Sequence, residues 1–160
     1  MAWADTDRVR ATVLWRSHLM LLAVRNAGRA GADATGGLSI LGVALRRLTL
    51  AGVDAFEDTL RVAAEDWSYA RMTSRPEPTW GRPPSVAVVE AFVEALADAC
   101  EFAVSVASQE RSTAFADALE YVPAAMLRGD LSAPLFTDPR EPEEVRLFAA
   151  SYRQRSEPGS

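Results

Sequence analysis

The chain has 160 residues, of which 17 are basic and 22 acidic, giving a formal charge of −5. Every basic residue is an arginine, and the chain holds one histidine, His18, and one cysteine, Cys100. These facts exclude a lysine Schiff base, a P-loop lysine, an internal disulfide and a Cys/His zinc site within one chain, and the negative charge disfavours broad contact with nucleic-acid phosphates.

The apolar fraction of 49% is that of an ordinary globular protein, and the length suits one domain with its own core. The start, Met1-Ala-Trp-Ala-Asp-Thr-Asp, is acidic where a secretory leader is basic. The apolar run from Leu19 to Val24 is far too short to span a bilayer. The expectation is a cytoplasmic protein with no membrane partner, folded as a single helical domain over 1–153 with a frayed tail at 154–160.

The first predicted helix runs from about Asp7 to Asn26. Its apolar residues, Val9, Val13, Leu14, Trp15, Leu19, Met20, Leu21, Leu22 and Val24, cover most of the circumference at 100° per residue. Such a helix is either central or packed on one side by another chain. Gly28, Gly31, Gly36 and Gly37 then read as a flexible break. From Leu38 to Leu50, Leu41, Ala44, Leu45 and Leu48 again fall at helical spacing. Gly52 interrupts, and Asp54 is the expected N-cap of a third helix with the stripe Phe56, Leu60, Ala63, Trp67 and Ala70.

Residues 73–84 contain four prolines and Trp80, which forbids helix there. Beyond them, a long helix from near Ser85 to near Ser108 places Val89, Phe92, Val93, Leu96, Cys100, Ala103 and Val104 on one face. Glu90, Glu94, Asp98 and Glu101 occupy the opposite face. A shorter helix after Ser112 turns Phe115, Leu119 and Val122 inward and is expected to stop by Pro123. Residues 129–142 form a second proline-rich stretch, and a last helix from Glu143 to about Arg153 presents Val145, Phe148 and Tyr152. No strand pattern or internal repeat is visible. The fold class is all-α, a bundle of five or six helices with two Pro-rich connecting segments.

The row Glu90, Glu94, Asp98, Glu101 is the most conspicuous candidate site. Helical-bundle metal centres need inward carboxylates, commonly with Glu-x-x-His, so this outward row reads as a solvated face or a dock for a basic partner. Trp80, in its stiff proline loop, is a candidate interface anchor. Cys100 lies amid the apolar face and reads as a buried, inert thiol. His18 and Arg25, seven residues apart, share a side of the first helix; with Trp67 and Tyr69 they are candidates to line a ligand pocket. No catalytic residue, metal or cofactor is assigned.

The stretch Gly37 to Leu48 resembles the turn and second helix of a helix-turn-helix, which implies contact with DNA. The positions that would meet base edges are Ile40 and Leu41, both apolar and poor readers of hydrogen bonds, so nucleic acid is not the expected partner. The favoured reading is a helical interaction module, an adaptor, immunity or antitoxin-like protein or complex subunit, binding another protein or forming a homo-oligomer. The alternative is a small-molecule-binding protein or a cofactor-free enzyme of cyclase or isomerase type, holding an apolar ligand inside the bundle.

Overall fold

The computed structural model describes residues 3–66, 83–106 and 108–128. Within them every regular element is a helix. The helices are α1 (Asp7–Arg29), α2 (Thr35–Ala51), α3 (Val53–Asp66), α4 (Val86–Val106), α5 (Gln109–Leu119) and α6 (Tyr121–Arg128). No described helix is long and apolar enough to cross a membrane. Trp67, Tyr69, Ala70 and Trp80, the proline stretch up to residue 82, and everything from 129 onward lie outside the described residues.

Helix α1 starts where a polar side chain can take an orphan amide: the Thr6 hydroxyl accepts from the Val9 amide at 3.2 Å. Its buried residues, among them Val13, Leu14, Trp15, Leu19, Met20, Leu21, Leu22 and Ala23, surround the axis. The helix is therefore enclosed by its own chain, and its all-round apolar pattern is accounted for without a second copy. It packs along α5 and α6 and against α2, while α2 lies along both α3 and α4.

The glycines expected to break the chain after Asn26 have other roles. Gly28 lies inside α1, where an added Cβ would stand 2.1 Å from the Thr113 hydroxyl of α5. The missing side chain lets the two helices approach. Only Gly31 makes the turn. Its φ of 90° is left-handed, and the bonds Gly31 N–H to Gly28 carbonyl and Ala32 N–H to Ala27 carbonyl close α1 in a Schellman motif. Helix α2 then begins at Thr35, earlier than expected, so Gly36 and Gly37 are helical. Its start is secured by the Asp33 carboxylate, which accepts the Thr35 amide at 2.9 Å. The likeness to a helix-turn-helix fails for the same reason. No turn exists at Gly37, Leu41 is buried, and Ile40 packs against the core.

Other expected boundaries are adjusted. Gly52, at φ 93°, joins α2 directly to α3, so Asp54 stands in the first turn of α3 and is not its cap. A carboxylate there still favours the positive helix end. The helix expected to stop by Pro123 does so, α5 ending at Leu119, but the proline itself sits third in α6, where its absent N–H costs no intrahelical bond. Likewise α5 starts before Ser112, on the Ser108 hydroxyl that accepts the Arg111 amide at 3.3 Å.

Phe56, Phe92, Leu14, Leu41, Leu45 and Leu60 are the largest kind of fully buried side chain here. Each contributes about 1.5–3 kcal/mol relative to exposure. The apolar stripe of α4 falls as expected, with Val89, Phe92, Val93, Leu96, Cys100 and Ala103 buried and Val104 at its edge.

Candidate functional site

Helices α2 and α4 meet closely at Gly42, where an added Cβ would be 3.3 Å from Cys100 Cβ. With no side chain on one wall, the helices touch there and leave a crevice between their outer rows. On α2 that row is Val43, Arg46 and Leu50; on α4 it is Glu90, Glu94, Asp98 and Glu101; all but the half-buried Arg46 are exposed. Spacings of three and four keep each row on one helix side.

Arg46 divides the crevice. Its guanidinium donates Nε to Glu101 at 2.9 Å and bonds Asp98 through Nη2. These bonds hold the Glu101 carboxyl below the usual glutamate range, and raise the already high pKa of Arg46. On one side of Arg46 lies a groove of about 770 Å³, lined by Trp3, Leu50, Glu90, Val93, Glu94 and Ala97 among others. On the other is a smaller depression of about 300 Å³, lined by Leu38, Gly42, Val43 and Val104 together with Arg47 and Glu101. Arg46 borders both. Leu50 is 86% exposed and Val43 45% exposed, so an apolar residue stands at each depression.

The four carboxylates of the row thus differ. Asp98 and Glu101 hold a guanidinium of their own chain, whereas Glu90 and Glu94 form no ion pair with any described residue. The arrangement can bind cations flanked by apolar groups. Among the described residues no group of three or more His, Cys, Asp or Glu is placed to hold a metal ion.

A second polar cluster joins α1 to the end of α5. His18 Nδ1 hydrogen-bonds the Glu120 backbone carbonyl, which can only accept, so the ring proton is on Nδ1. Arg25 pairs with the Glu120 carboxylate, which is almost wholly buried, and its Nε lies 3.8 Å from Asp117. Arg29 adds a 3.2 Å bond to Asp117. Trp15 stacks obliquely on His18 with ring centroids 5.5 Å apart. His18 and Arg25 therefore share a side, as their spacing implies, and meet on one residue. Trp67 and Tyr69, grouped with them from the sequence, lie outside the described residues, as does Trp80.

Sequence reasoning missed the ion pairs of Arg46 and Glu120 and the burial of Arg10. Buried Arg10 donates to the carbonyls of Ala4 (2.6 Å) and Pro84 (2.9 Å), tying the front of the chain to the segment before α4. The partners of these three residues lie up to 102 positions away, and no local pattern marks them. Cys100 is fully buried, and loss of solvent pushes its thiol pKa up, which disfavours the thiolate.

No family model, curated protein or solved structure matches the chain.

Proposed function

We propose that this chain is a protein-interaction module, a single-domain bundle of five or six helices with Pro-rich connecting segments, that binds a segment of another protein along the α2–α4 crevice. The observation that supports this reading is Leu50, 86% exposed, beside a groove of about 770 Å³ whose other wall carries the exposed carboxylates of Glu90 and Glu94. An apolar residue at a groove with a charged opposite wall matches the apolar-centre, polar-rim pattern of a protein contact surface. Catalysis has no comparable support: Cys100 is buried, and His18 and Arg25 are bonded to Glu120.

The test places a photo-crosslinking residue at Leu50 and, as control, at exposed Val62 on α3, in the protein expressed in its own host. The proposal expects one polypeptide, identified by peptide sequencing, to attach at Leu50 but not at Val62, and to be lost when Glu90 and Glu94 become Gln. Equal labelling at both positions, or none at either, would sink it. Attachment of a second copy of this chain would instead give a self-associating module.

A further inference from the structure

We infer that the occupant of this crevice is a basic amphipathic helix, and that Arg46 stands in for one of its basic side chains. The inference rests on the binding reading above and adds the chemistry of the partner.

The row of α4 carboxylates already holds one guanidinium, that of Arg46, on Asp98 and Glu101. Glu90 and Glu94 continue the same row one and two turns earlier, facing the groove and without a basic partner among the described residues. A second helix carrying arginine or lysine at i and i+4 would reproduce the Arg46 contact at these two carboxylates. The apolar contacts fix the rest of the pattern. Val43 and Leu50 are two turns apart on α2, about 10 Å, so the same partner helix needs apolar residues at i and i+7. From Glu90 to Glu101 the row runs about 16 Å, enough for three turns of such a helix.

Arg46 sits between the two depressions, so a helix lying along the whole crevice must displace it. The incoming basic residues then compete with Arg46 for Asp98 and Glu101. All three of these side chains are 39–58% exposed, and exposed pairs are weak enough to exchange. A purely apolar partner would have to pass this ion bridge without replacing it, and an acidic one would be repelled by the row.

The probe is a synthetic, fluorescently labelled helix of about 18 residues, with leucines two turns apart and arginines four apart beside them. A matched peptide has glutamates for arginines. Anisotropy titration is expected to show saturable binding of the basic peptide alone, weakened by about 0.5 M salt. Glu90→Gln with Glu94→Gln should weaken it about tenfold. Arg46→Gln should strengthen it about threefold, the sign a merely structural arginine would not give, with melting by circular dichroism verifying that each variant folds. Equal binding of both peptides, or weaker binding to Arg46→Gln, overturns the inference. If the crosslinks at Leu50 form but the basic peptide does not bind, the partner has other chemistry; if both fail, the binding reading itself is wrong.

Discussion

Gly42 of α2 faces Cys100 of α4 so closely that a Cβ on the glycine would stand 3.3 Å from the cysteine Cβ. Gly42 also lines the smaller depression beside this contact. An alanine here gains up to about 1 kcal/mol of helix propensity and must shift its neighbour by a few tenths of an ångström, so the two effects offset. Gly42→Val has no such balance. It is expected to lose about 2–3 kcal/mol in urea denaturation. Unchanged stability would mean that α2 and α4 do not meet at this point.

Burial of Cys100 leads to a chemical prediction. A thiol with no exposed surface and a raised pKa presents neither access nor thiolate to a reagent. Labelling by a disulfide reagent in native buffer should therefore proceed only as fast as the protein opens. It should become rapid on adding denaturant. Fast native labelling would contradict the packing of α4.

Much of this was legible because burial writes itself locally. The α4 stripe, the all-round α1 and the shared side of His18 and Arg25 all follow from 100° per residue. What failed was the reading of glycine and proline as breaks. Gly28 is helical because Thr113 of α5 occupies the space beside it, and Pro123 is helical because it falls in a first turn. Both reasons are tertiary or positional. The partners of Arg46 and Arg25 were likewise hidden, since they come from distant helices and leave no periodic trace.

The Arg25–Glu120 pair should behave as a coupled unit. Glu120→Gln removes the charge that faces the Arg25 guanidinium and leaves Asp117, 3.8 Å away, as its carboxylate partner among the described residues, and a loss of about 2 kcal/mol is expected. Arg25→Gln alone should also destabilise. The double variant should lose less than the sum of the two, because neither then strands the other's charge. Strict additivity in a double-mutant cycle would show that the pair does not interact.

Acid stability carries the signature of Arg46. Glu101 has a folded-state pKa depressed by its hydrogen bond to Arg46, so its stabilisation is present above the unfolded glutamate value and lost as pH falls through the lower folded value. Asp33, depressed by the Thr35 amide, acts in the same sense near the aspartate range. Melting temperature should therefore fall on acidification below about pH 4.3. Glu101→Gln should make that fall shallower without abolishing it. An unchanged slope would mean that the Arg46 bond does not persist in solution.

The most direct test of the central claim is a map of where a basic amphipathic helix touches the molecule. Titration of the isotopically labelled protein with the arginine peptide, followed by amide NMR shifts, is expected to move residues 43–50 of α2 and 90–101 of α4. Shifts centred on α1 and α5 instead, or no saturable shifts at all, would contradict the assignment of the α2–α4 crevice as a docking site.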